Sequence, residues 1–279
     1  MPVDAIFDDF ERDMSMYGMT LALIETTSEL PHLGDIPEFD EKSLHASHLH
    51  AIGSLANQVK AAQSGIPALR GALFVLCVAR FESLIRSQIE DLALRSSQNA
   101  AKFSQLPGAM RENLQRLAAD VIGNPRKYRM ETHVKSIAVT LARNLSDESE
   151  PGEINNYCIS ITHENMRAET LSGLFERLGI KDTWNRVGSD TDLQVFLQLH
   201  QPDAVTSSAK KRLNAAIESR NRFSHPSGTV IWPSAADVND LIQLLVCVGR
   251  AVSKLIPVYE IQLKPQPAPA PAPAPAPAT

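Results

Sequence analysis

The stretch "GALFVLCVARFESLIRSQIEDL" (71–92) decides the fold. Phe74, Cys77, Val78, Phe81, Leu84, Ile85, Gln88, Ile89 and Leu92 recur in steps of three and four residues. That spacing lines one largely apolar face of a helix. Pro67, just upstream, suits a first helical turn, where its missing N–H is not needed. The spacing therefore predicts a helix over 67–96.

Working outward, the same period recurs along most of the chain. Helices are predicted over 4–29 and over 40–63, the second opening on the acidic "DEKS" and closing at Ser64-Gly65. Shorter ones are predicted over 109–121 and 130–144, around a break at "GNPRKY". Residues 144–157 read as a polar loop, and "YCISI" at its end reads equally as a short strand or as the lead into a helix. A helix over 163–178 stops at the glycine of "LGI". "SDTDLQVFLQLH" starts another, with Ser189 or Asp190 as cap. A long basic helix covers 207–224, with Leu213, Ala216, Ile217 and then Arg220 on its inner face. The last helix covers 235–256, with Ser234 as N-cap and Asp237 three residues on. No alternating run supports a sheet, so the fold class is all-α, a bundle with extra helices. The closing "KPQPAPAPAPAPAPAT" reads as an extended, solvated Pro-Ala tail.

Composition narrows the function. The chain has 279 residues, 43% hydrophobic and 21% charged, as in an ordinary globular protein. Its formal net charge of -5 provides no global basic field for nucleic acid, so such a ligand has to be met by a local patch. Cys77, Cys158 and Cys247 are scattered, form no CxxC pair and suit a reducing, cytoplasmic compartment. The acidic start "MPVDAIFDDFERD" lacks the pattern of a signal peptide, and no membrane span is expected. No cofactor is expected: there is no Gly-rich phosphate loop, no GxSxG and no dinucleotide motif. His45, His48 and His50 in "LHASHLH" put two imidazoles on one helix face, but no second ligand pair follows, so no metal is expected.

One stretch concentrates chemistry. "IESRNRFSHPSG" (217–228) holds Arg220, Asn221, Arg222 and His225, then stops on Pro-Ser-Gly. Pro226 disfavours the α conformation at His225, so the helix ends there and "HPSG" offers a turn. On an ideal helix, positions five apart point about 140° apart, but a helix end relaxes this. Arg220, Asn221 and His225 can then approach one point. Arg220 can hold a phosphate with two parallel hydrogen bonds, and His225 can move a proton near neutral pH. Asn221 can orient the imidazole or donate to the phosphate. Taken alone, the stretch reads first as a helix C-terminus that favours cations. The bare spacing is weak, since Arg126 and His133 nearly repeat it in "RKYRMETH". Lys210, Lys211 and Arg212 can steer RNA or simply solvate a helix face. Trp232 can stack a base or lie buried under the last helix.

"IESRNRFSH" resembles the Arg-x(4–6)-His signature of the HEPN superfamily, in which a polar residue, often Asn, follows the Arg. "ARFESLIRSQIEDL" (79–92) and "MRAETLSGLFERLGI" (166–180) resemble segments of its RiboL-PSP group. The resemblance covers about 70–256 and implies a HEPN-like antiparallel bundle, taken over 66–258; outside it lie a helical extension over 1–65 and a Pro-Ala tail, expected to be disordered, over 259–279. It further implies a homodimer whose signature helices form one metal-independent ribonuclease site, leaving a 2′,3′-cyclic phosphate and a 5′-hydroxyl. Arg220, Asn221 and His225 match the signature as catalytic residues. Glu82 is the candidate acid from a neighbouring helix, against an i,i+4 pair with Arg86. Arg222 is a candidate contact to substrate backbone or to a second protomer, and Ser224 a supporting donor. The implied partners are an RNA substrate and an antitoxin or defence-system protein. The alternatives are a non-catalytic HEPN module that binds RNA or protein, and a scaffold assembled through 1–65.

Overall fold

The computed structural model describes residues 3–29, 44–162, 164–225 and 230–264. The described residues are helical, with no strand among them. They fall into two compact units. The stretch read as "DEKS", the turn at Pro226 to Gly228 and the Pro-Ala tail lie outside the described residues, as do the side chains of His45, His48 and His50.

The first unit comprises Met1–Gln88, Thr162–Phe175 and Lys181–Ile256. It contains α1 (Val3–Glu29), α2 (Leu44–Ala62) and most of α3 (Ile66–Gln98). Every residue of the apolar face predicted on α3 is buried, Gln88 included. Gln88 donates from Nε2 to Ser253 Oγ at 2.5 Å, while its buried Oε1 has no hydrogen-bond partner among the described residues. Phe10 of α1 packs edge-on against Phe81 of α3, 6.4 Å between ring centres. Arg70 of α3 grips Glu25 of α1 with two hydrogen bonds, at 2.7 and 2.6 Å. A run of short helices follows: α8 (Ala168–Glu176), whose last residue falls in the other unit, α9 (Thr183–Gly188) and α10 (Thr191–Leu197). Asp190 caps α10, accepting the Leu193 N–H at 3.1 Å. The helix α9 was not expected from sequence. Its Trp184 is buried and donates its indole N–H to Ala168 O at 2.8 Å. The signature helix α11 (Pro202–Ser224) packs on α9 and begins five residues earlier than predicted, with Pro202 in its first turn.

The last helix, α12 (Ala235–Gln262), opens on a reciprocal cap. Ser234 Oγ accepts the Asp237 N–H at 3.1 Å, and Asp237 Oδ2 accepts the Ser234 N–H at 2.8 Å. The helix continues beyond the predicted end at 256, through Pro257 to Gln262, so the first residues of the tail expected to be disordered from 259 are helical. Proline inside a helix costs about 3 kcal/mol. Burying Ile256 and Tyr259, both fully covered, offsets that at about 1.5–3 kcal/mol per large apolar side chain. Among the described residues α12 is the one helix long and apolar enough to cross a membrane, although no such stretch was expected. As in a core helix, 61% of that window is buried within the fold.

The second unit comprises Ile89–Ile161, Glu176–Ile180 and Pro257–Thr279. Here α4 (Gly108–Gly123), the single turn α5 (Pro125–Tyr128), α6 (Val134–Leu145) and α7 (Asn156–Ser160) surround Val121, Ile137 and Cys158. "YCISI" is thus mostly a helical turn rather than a strand. Arg177 ties it down, donating to the carbonyls of Ile159 and Ile161, both at 2.7 Å. Gly179, at φ +88°, ends the "LGI" segment in the left-handed region. Cys77, Cys158 and Cys247 are all free and buried. Burial pushes the Cys77 and Cys158 thiols up to about 12.

Candidate functional site

The helix α11 ends where Pro226 requires. His225 leaves the helix at φ -131°, ψ 68°, while its N–H still donates to Asn221 O at 3.2 Å. Its ring is exposed and has no hydrogen-bond partner among the described residues.

Arg220 is held differently. Its Nη1 donates to Asn165 Oδ1 and to Asn221 Oδ1, both at 3.1 Å. Its Nη2 lies 3.7 Å from Glu82 Oε2. The Arg220 side chain is 24% exposed and that of Glu82 12%. Three segments thus converge on one guanidinium: α3, the approach to α8, and α11 itself. Glu82 faces Arg220, and no ion pair joins it to Arg86. Its second oxygen accepts the Met166 N–H at 3.2 Å.

Asn165 is the partner that sequence reasoning did not find. It lies in a strap, 164–167, where a helix from 163 was expected. The strap stays non-helical because its polar groups bond outward. Ala168 N–H donates to Asn214 Oδ1 at 2.9 Å, so α11 supplies the acceptor that starts α8. Arg167 pairs with Glu218 at 3.2 Å, and Lys210 with Glu169 at 3.7 Å. The Glu169 carboxyl is held below its ordinary value first by its own backbone N–H and then by Asn214. No local periodicity marks Asn165 or Asn214 as partners of α11; only the tertiary fold does.

The remaining candidates divide. Arg222 is exposed and donates to Ser219 Oγ at 2.9 Å. Ser224 is exposed, and its hydroxyl bonds to no described residue. Arg212 is not a free cation: it pairs with Asp240 and covers the Phe196 ring at 4.8 Å. Trp232 is half-buried, stacked on Phe223 with 5.8 Å between ring centres. Arg126 and His133, the second near-match, sit on α5 and at the start of α6, in the other unit. Among the described residues no group of three or more His, Cys, Asp and Glu could hold a metal ion.

An all-helical fold whose long penultimate helix ends in Arg-x4-His, ahead of a packed final helix, is that of a HEPN-type domain. The chain belongs to the RiboL-PSP-HEPN family, whose model matches residues 39–256. No curated protein and no solved structure matches it.

Proposed function

We propose that the chain is a metal-independent endoribonuclease acting through Arg220 and His225. One contrast carries the reading. Arg220 is fixed by Glu82, Asn165 and Asn221, while the ring of His225, at the end of the same helix, is exposed and has no hydrogen-bond partner among the described residues. A fixed guanidinium suits the charge that develops on a phosphodiester. A free imidazole suits proton transfer. The RNA 2′-hydroxyl attacks the adjacent phosphorus, the 2′-O–P bond forms and the P–O5′ bond breaks. His225 takes the proton of the 2′-hydroxyl or supplies one to the leaving 5′-oxygen. In a homodimer, the His225 of each copy serves one of these two steps. Asn221 and Glu82 hold the guanidinium in position, and Arg222 and Ser224, both exposed, can meet the RNA backbone.

His225→Ala is expected to lower RNA cleavage at least about 100-fold while fold and oligomeric state persist. Wild-type products should carry a 2′,3′-cyclic phosphate and a 5′-hydroxyl. Equal activity in both proteins, with no cyclic phosphate, would sink the proposal. We further propose a cytoplasmic toxin or defence role, neutralised by a partner protein. Induced expression of the wild type should then arrest growth, and His225→Ala should not.

A second reading is a non-catalytic HEPN module. It is favoured by the neutralisation of basic side chains near the site: Lys210, Arg212 and Arg167 all face carboxylates. The net charge of -5 points the same way, towards a protein partner. Binding without turnover, unchanged by His225→Ala, would establish it.

A further inference from the structure

We propose that the cavity beside α11 is a nucleobase pocket. It measures about 380 Å³, within the range of about 300–1,000 Å³ for small-ligand sites. One wall is aromatic. Trp232 lies on Phe223 with 26° between ring planes, and Phe74 braces Phe223 edge-on at 5.1 Å. Gly71 of α3 leaves room for the indole: a Cβ there would fall 2.4 Å from Trp232 Cε3. Two helices thus fix the ring before any ligand arrives, which lowers the ordering cost of binding.

The polar lining selects the ligand class. Asp237 and Asp240 line the cavity with Arg212 and Ser219. Asp237 uses Oδ2 for Ser234 and Asp240 uses Oδ2 for Arg212, which leaves Oδ1 on each. Two carboxylates repel a phosphate from the cavity itself. They accept from the amino and ring N–H groups of a base, and the aromatic wall takes its flat face. Adenine, guanine and cytosine carry an amino group, whose two N–H donors can serve both carboxylates; uracil offers a single ring N–H. The phosphate of a bound nucleotide then belongs outside. Ser219 and Phe223 lie on either side of Arg220 in the sequence of α11, so Arg220 projects from the neighbouring face. Assigning that phosphate to Arg220 rests on the nuclease reading; the base pocket does not.

The chain holds two tryptophans, and Trp184 is buried at 5% exposure. A change in intrinsic fluorescence on adding ligand therefore reports on Trp232, against a background from Trp184. Titrating the full-length protein with AMP should quench emission saturably, UMP should act more weakly, and ribose 5-phosphate should have no effect. In Trp232→Phe the remaining emission should not respond to AMP. By calorimetry Trp232→Leu should bind AMP about 5- to 150-fold more weakly, and Trp232→Phe should stay near wild type. No quenching by AMP, equal quenching by ribose 5-phosphate, or wild-type affinity in Trp232→Leu would overturn the pocket. So would emission that changes on dilution of the protein but not with nucleotide, because a second copy would then fill the cavity. AMP binding without RNA cleavage would leave the pocket standing and remove the nuclease reading, and cleavage without AMP binding would do the reverse.

Discussion

Glu82 and Arg220 face each other across α3 and α11 with 3.7 Å between Oε2 and Nη2, and the same carboxylate accepts the Met166 N–H at 3.2 Å. One side chain therefore answers both a cation and the backbone of the strap. Substitutions can separate the two. Glu82→Gln keeps an acceptor for Met166 but removes the charge, so stability should fall by less than about 1 kcal/mol. Glu82→Ala removes both and leaves a covered N–H without a partner, at a cost of about 1–3 kcal/mol. Urea unfolding of the two variants checks the order. On the nuclease reading both should lose cleavage about tenfold or more, because Arg220 loses the charge that holds it.

Asn165 should act through Arg220 alone. Its Oδ1 fixes one Nη1 bond, and its removal leaves the Glu82 and Asn221 contacts in place. On the nuclease reading, Asn165→Ala is expected to lower kcat about tenfold with little change in KM or Tm. In an Arg220→Ala background it should cost nothing further, the non-additivity expected of residues that work as a unit. Asn165→Asp, which keeps the acceptor, should recover most of the rate. Additive losses would place Asn165 in a separate role.

The elements that carry this site were legible to different degrees. α3 and the core of α12 announced themselves through long apolar periodicity, and the end of α11 through Pro226. The earlier start of α11 had a signal too, Pro202 followed by Asp203 in the first turn, which suits an N-terminus. By contrast, α9 is six residues long and owes its place to the burial of Trp184. Residues 164–167 carry a helical pattern, yet Glu82 takes the Met166 N–H, Arg220 donates to Asn165, and Asn214 takes the N–H of Ala168 just beyond them. α12 outruns Pro257 because burial beyond it outweighs the missing hydrogen bond. In each case a contact distant in sequence overrode a local preference, and a single chain does not reveal such a contact.

Acid should weaken the start of α12 in a defined way. The hydroxyl and N–H of Ser234 hold the Asp237 carboxyl below its ordinary value. The unfolded chain therefore takes up this proton first as pH falls. The contribution of Asp237 is complete above about pH 4 and is lost as pH drops through its depressed native value. Asp237→Asn, which has no proton to gain there, should be less stable than wild type at pH 7. The gap, read from urea unfolding, should narrow steadily below about pH 4. Ser234→Ala should cost about 1 kcal/mol at neutral pH, as loss of an N-cap does.

Gly71 tests how firmly the aromatic wall is held. A glycine inside a helix is ordinarily a weakness, and replacing it with alanine gains about 1 kcal/mol. At Gly71 the added Cβ would meet Trp232 Cε3 at 2.4 Å and Cζ3 at 2.5 Å. Trp232 cannot retreat towards α11 without pressing on Phe223, which Phe74 supports from behind. Crowding of this kind costs about 1–3 kcal/mol, enough to cancel the helical gain and exceed it. Gly71→Ala should therefore lower Tm, and its tryptophan emission should shift to the red as the indole is pushed into water. Thermal unfolding followed by fluorescence reads both at once. A rise in Tm with an unshifted spectrum would mean that the indole yields freely, and the wall would then be too mobile to count as built in advance of a ligand.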